Sequence, residues 1–121
     1  MSKRVLTVDD SRTMREMVNF TLKSGGYDTI EAGNGKEALS TLIEAQEVDL
    51  IITDLNMPVM DGFELIQQLR GGHYKTTPIL VLTTESELQK KEQGKAYGAT
   101  GWIVKPFNPD NLLQAVKKVC A

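Results

Sequence analysis

Four short apolar runs in this sequence lead into residues that could do chemistry. Lys3 to Val8 runs into Asp9-Asp10, Asp49 to Thr53 into Asp54, Pro78 to Leu82 into Thr83, and Gly101 to Val104 into Lys105. A single polar residue after an apolar run means little, because loops are polar anyway. Acids after two runs, a hydroxyl after another and a cation after the last point instead to a convergent site. Two carboxylates about 4 Å apart repel by roughly 4 kcal/mol at an effective dielectric near 20. Three together therefore take up a proton or recruit cations. Lys105 supplies one positive charge, and a hard divalent cation with oxygen ligands, Mg2+, suits the rest. Zinc does not suit: the single histidine, His73, sits in a Gly-Gly-His-Tyr stretch that reads as a solvated loop, and the single cysteine, Cys120, is remote in sequence. Nor is there support for a His–Ser or His–Cys catalytic pair. A carboxylate beside Mg2+ and lysine is equipped to attack phosphorus, because both cations neutralise the phosphoryl oxygens. Asp54 is the best-placed nucleophile, lying between the metal acids and Thr83.

The elements that must hold these residues alternate regularly. Continuous apolar runs of this length suit strands of a parallel sheet covered on both faces. Tyr27 to Ala32 alternates more and reads as an edge strand; Gly101 to Val104 is a fifth short run, ended by Lys105-Pro106. Helix patterns lie between them. Ser11 can cap a helix with Met14, Met17, Val18 and Leu22 inward, ended by Gly25-Gly26. Asn34 with Glu37, and Asp61 with Glu64, make cap and third-residue pairs before Leu39, Leu42 and Ile43 and before Leu65, Ile66 and Leu69. Asn108-Pro109 opens a last helix with Leu112, Leu113, Val116 and Val119 inward. The stretch from about Glu87 to Tyr97 differs: it is rich in Gln, Lys and Glu, and Leu88, Ala96 and Tyr97 are its only obvious apolar contacts, so it should pack most weakly. Five strands alternating with five helices predict an α/β fold with right-handed crossovers. In such sheets ligands bind beyond the carboxyl ends of the strands, where the polar residues gather.

The whole composition is consistent with one ordinary globular domain. The 121 residues are 40% hydrophobic and 25% charged, with net charge −2 and no basic patch, which disfavours a bare nucleic-acid binder. No apolar run approaches the ~20 residues needed to cross a bilayer, and the N-terminus lacks the apolar segment of a signal peptide. A lone cysteine suits a reducing compartment, so a cytoplasmic location is expected, and Cys120 reads as a small apolar residue of the last helix.

The stretches Val8-Asp9-Asp10-Ser11-Arg12-Thr13-Met14-Arg15, Asp54-Leu55-Asn56-Met57-Pro58-Val59-Met60-Asp61-Gly62, Thr83-Thr84-Glu85 and Lys105-Pro106-Phe107 resemble, in order and spacing, bacterial two-component response-regulator receivers. The likeness is greatest to stand-alone chemotaxis regulators of the CheY type and covers essentially the whole chain. It implies a doubly wound, flavodoxin-like (CheY-like) sheet in strand order 2-1-3-4-5, with residues 1–121 forming one receiver domain without an effector domain. It implies a signalling phosphoprotein rather than an enzyme, catalysing only its own phosphorylation and dephosphorylation. Asp54 would be the phosphoacceptor. Asp10, Asp54 and the Asn56 carbonyl would ligate Mg2+ directly, and Asp9 would act mainly through water. Thr83 would hydrogen-bond the phosphoryl group, Lys105 would pair with it, and Lys105-Pro106 would be cis. In the family switch Thr83 moves toward the phosphoryl group and an aromatic on the fifth strand turns inward; here that residue is Trp102, with a static surface aromatic as the alternative. Asn56 and Glu85 occupy positions that tune dephosphorylation, which favours a short-lived phosphoryl state. Partners implied are a CheA-like histidine kinase as phosphodonor, a protein target such as the flagellar motor switch, and a dedicated phosphatase, with neither nucleic acid nor membrane.

Three rival readings are weaker or inseparable. A flavodoxin-type nucleotide carrier would want a Gly- or Thr-rich phosphate cradle where Asp9-Asp10-Ser11 stands. An Asp-nucleophile phosphatase would want a second acid two residues after Asp54, where Asn56 stands. A phosphorelay intermediate, handing its phosphoryl group to a histidine phosphotransfer protein, would have the same site.

Overall fold

A computed structural model describes residues 2–45 and 47–120; the two ends of the expected domain, Met1 and Ala121, lie outside them. Ten elements alternate: β1 (Arg4–Val8), α1 (Arg12–Ser24), β2 (Asp28–Ala32), α2 (Gly35–Ala45), β3 (Leu50–Thr53), α3 (Gly62–Gly71), β4 (Ile79–Thr83), α4 (Leu88–Tyr97), β5 (Gly101–Val104) and α5 (Pro109–Val119). The strands form one sheet in the order β2-β1-β3-β4-β5, every pair parallel. β3 and β4 are buried throughout, which is why their sequences are continuously apolar, whereas β2 lies at an edge and is only half-buried.

Alternate side chains of the inner strands feed two cores. Leu6, Val8, Ile51, Ile79 and Val81 pack under α2 and α3 with Leu42, Leu65 and Ile66. Val5, Leu50, Ile52, Leu80 and Leu82 pack under α1 and α5 with Leu22 and Leu112. Each fully buried Leu or Ile contributes about 1.5–3 kcal/mol of transfer free energy, so these layers fix the sheet against its helices.

Four helix starts are capped as their sequences predict. Ser11 Oγ accepts from Met14 N, Asn34 Oδ1 from Glu37 N, Asp61 Oδ1 from Glu64 N, and Asn108 Oδ1 from Asp110 N and Asn111 N. α4 has no such side-chain cap at Glu87, and Gly94 is its only buried residue. Four apolar residues expected to make inward contacts do not: Met17, Ile43 and Leu88 are all largely exposed, and Ala96 is exposed as well. In α1 the buried stripe runs through Val18, Asn19, Thr21 and Leu22, and in α2 through Gly35, Ala38 and Leu42. Met17, about 40° of helix rotation from Thr21, and Ile43, about 100° from Leu42, border those stripes on the solvent side.

Candidate functional site

The parallel register brings the carboxyl ends of β1, β3, β4 and β5 to one rim. Asp54 N donates to Val8 O, Asp9 N to Ala32 O and Lys105 N to Thr83 O, so the residues that follow each strand are tied to a neighbouring strand. Asp9, Asp10 and Asp54 thereby come together, each offering one carboxylate oxygen, with those oxygens all within 4.8 Å of one another. Asp9 and Asp54 are buried while Asp10 is exposed.

The buried pair is held on both sides. Asp9 Oδ1 accepts from Ser11 N at 2.9 Å and Asp54 Oδ1 from Leu55 N at 2.7 Å. Lys105 Nζ reaches Asp9 Oδ2 at 2.7 Å and Asp54 Oδ2 at 3.1 Å. Burial alone would lower the pKa of the Lys105 ammonium, but the hydrogen bond to Asp9 and the charges of Asp54 and Asp9 outweigh it, and the pKa lies above that of an ordinary lysine. One ammonium against three carboxylates leaves negative charge uncompensated. The donor set is all oxygen, which fits a hard divalent cation and not a thiophilic one.

Thr83 is fully buried at the end of β4, and its Oγ1 accepts from Glu85 N at 3.3 Å. Asn56 is exposed on the loop beyond Asp54. Within that loop Gly62 donates its N–H to Leu55 O, and a Cβ at Gly62 would collide with the carbonyl of Asp54, so glycine is required there. The Lys105-Pro106 bond is cis. His73 is exposed in the loop after α3, and Cys120 is buried against Asp49 O, remote from the rim in sequence.

The family description "Response regulator receiver domain" fits residues 5–117. The chain belongs to this family. The receiver is similar along almost all of its length to the chemotaxis protein CheY homolog of Campylobacter jejuni, with 38% identity over 118 residues, 96% of this chain and 91% of that one. Its fold matches the solved structure of the Vibrio cholerae chemotaxis protein CheY4 at a TM-score of 0.92 and 51% identity, covering 98% and 99% of the two chains. It is also 37% identical over 119 residues to the alkaline phosphatase synthesis transcriptional regulatory protein PhoP of Bacillus subtilis, of whose length it spans about half (49%). The family is one of signalling domains and not an enzyme class. No helix among the described residues is long and apolar enough to cross a membrane.

Three groups of contacts in this receiver are not legible in the sequence. Trp102 is half-buried: its indole N–H donates to Glu85 O at 2.9 Å, joining β5 to the loop before α4, and its ring lies near Phe63. A Cβ at Gly94 would come within 2.7 Å of that ring, so the closest approach of α4 to β5 depends on a missing side chain. At the other end of α4, Arg70 donates to Gly98 O from both Nε and Nη2, at 3.1 and 2.8 Å, and to Tyr74 O and Thr77 O. A third group, Arg15 with Glu31, closes on the backbone of Asp9. Arg15 ends the first stretch that resembles the family, but nothing in the sequence reveals that it reaches β2.

Proposed function

We propose that this receiver takes a phosphoryl group from a phosphohistidine of a histidine kinase onto Asp54, in the presence of Mg2+, and so switches its affinity for a protein target. The supporting observation is that Lys105 Nζ bridges Asp9 and Asp54 at 2.7 and 3.1 Å while a third carboxylate, Asp10, stands within reach and exposed. Asp10, Asp54 and the Asn56 carbonyl would hold the cation, with Asp9 acting through water. When bound, Mg2+ supplies charge neutralisation at the phosphoryl oxygens.

Asp54 acts as nucleophile: a P–O bond forms to its carboxylate while the P–N bond to the donor imidazole breaks, and that nitrogen takes up a proton from solvent. The leucine amide on Oδ1 orients the carboxylate and leaves Oδ2, shared with Lys105, as the attacking edge. Lys105 then stays with the phosphoryl oxygens, and Thr83 trades its bond from Glu85 N for one to the phosphoryl group. Because Glu85 O also holds the Trp102 indole, that trade is felt at β5 and α4, which is how Thr83 and Trp102 would form the switch. Asn56 and the Glu85 side chain, whose Oε1 accepts from Glu87 N at 3.4 Å, border the route of hydrolytic water and would tune the phosphoryl lifetime. The receiver's similarity to chemotaxis proteins of the CheY type supports a chemotaxis role, with a CheA-like kinase, the flagellar motor switch and a phosphatase as partners, in the cytoplasm.

Asp54→Asn tests the assignment. The amide is a poor nucleophile, so labelling by acetyl phosphate with Mg2+ should vanish while the melting curve still reports a folded protein. Full labelling of that variant would move the acceptor elsewhere.

A further inference from the structure

The three acids are not held alike. The Asp9 and Asp54 carboxylates each take a backbone N–H and share Lys105. For Asp10, no hydrogen bond or ion pair to its carboxylate occurs among the described residues, although it is the acid most open to a cation. Its aim therefore depends on its backbone, and first on the peptide that joins it to Asp9.

That peptide is gripped. Arg15 Nη1 donates to Asp9 O at 2.6 Å, while Arg15 Nε is paired with Glu31 Oε1 on β2 at 2.7 Å. The second oxygen of Glu31 accepts from Asn19 Nδ2 at 3.0 Å, so the carboxylate cannot swing without losing a second bond. Arg15 is only 16% exposed. One planar guanidinium thus spans from the edge strand to the turn of the acid loop, a task that needs two donors at a fixed angle.

We infer that Arg15 is a positioning residue for the metal-binding acids: it fixes the Asp9–Asp10 peptide and thereby holds the Asp10 carboxylate on the cation. The inference rests on the Mg2+ site proposed above and adds a residue to its support. Partners that orient a ligand without touching the metal commonly change metal affinity by about 10–100-fold. With a single carboxylate at stake and no direct bond to it, the lower end is expected here.

The competing role for Arg15 is a plain staple between α1 and β2, and metal binding separates the two. Calorimetric titration with MgCl2 alone, on the whole chain, should give Arg15→Met a dissociation constant about tenfold above wild type. Arg15→Lys, which keeps one donor for Asp9 O, should recover to about threefold. Glu31→Ala, which leaves Arg15 in place but unanchored, should also weaken binding about threefold, and it carries the test if Arg15→Met does not fold. Unchanged Mg2+ affinity in these variants, with only a lower metal-free melting temperature, would reduce Arg15 to a staple and overturn the inference alone. Mg2+ binding that is absent in wild type, or undiminished in Asp10→Ala, would overturn the metal site itself and this inference with it.

Discussion

The rim around Asp9 and Asp54 and the flank formed by α4 are built to opposite specifications. At the rim, each buried carboxylate oxygen has a named donor, and the central strands β3 and β4 behind it are fully buried. On the flank, α4 starts without a side-chain cap, buries only a glycine and leaves Leu88 at 70% exposure. Both are reached by the same few residues, Thr83, Glu85 and Trp102. The contrast teaches that the fold concentrates its packing on holding the acid cluster and leaves the neighbouring helix easy to displace. Elements that move in signalling are drawn from the least stable parts of a structure.

The contrast is broken most directly by comparing two apolar truncations. Ile66→Ala, in the fully buried core beside the rim, should lower unfolding free energy by about 3–4 kcal/mol in urea melts. Leu88→Ser on α4 should change it by less than about 0.5 kcal/mol. Comparable losses would mean that α4 is anchored in a way its burial does not reveal.

Lys105→Met should come next. It leaves Asp9 and Asp54 facing each other without their shared cation, and a loss of about 2–3 kcal/mol in metal-free buffer is expected, below the usual range for a buried pair because Asp10 keeps the site open to water. Added Mg2+ should stabilise this variant more than wild type, since binding to the folded state alone raises stability. The pH dependence follows the same group. Its pKa is raised in the folded state from 10.5, so its contribution is complete below that unfolded value and disappears as pH climbs through the folded one. Wild type should therefore lose stability above about pH 10.5 through this group, and Lys105→Met should lack that component of the alkaline loss.

Gly94→Ala sharpens the comparison at smaller scale. Alanine favours the helix by about 1 kcal/mol, but its Cβ would sit 2.7 Å from the Trp102 ring, and overpacking costs about 1–3 kcal/mol. A net loss of about 1 kcal/mol is expected, with Trp102 emission moving to longer wavelength as the ring is pushed off Glu85 O. A net gain would show that α4 can shift away freely, which would make it looser still.

The gathering of the site's polar side chains was readable in the sequence because they sit where it changes character. Asp9, Asp10, Asp54, Thr83 and Lys105 each end an apolar run, and parallel strands deliver such ends to one rim. The caps at Ser11, Asn34, Asp61 and Asn108 were equally readable, since a cap and its target lie within three residues. The strand order came from the resemblance, because alternation of elements does not say which strands are neighbours. The inward faces of α1 and α2 were misjudged at Met17 and Ile43, where an apolar residue borders the buried stripe and only the docked helix decides its side. Arg15, Arg70 and the Trp102–Glu85 bond were invisible, since Arg70 and Trp102 reach backbone oxygens, and Arg15 a carboxylate on β2, across elements well separated in sequence.

Arg70 has a mechanical consequence. Its two bonds to Gly98 O pin the far end of α4, while the near end, beside Thr83, has no cap to release. Any tilt that keeps those bonds makes the helix a lever with its fulcrum at Gly98. Ten residues give an arm of about 15 Å, so a tilt of about 10° would carry Leu88 some 2–3 Å while Tyr97 scarcely moves. A small event at one hydroxyl would thereby be magnified along a single rigid arm, and a partner that reads it should grip the Leu88 end.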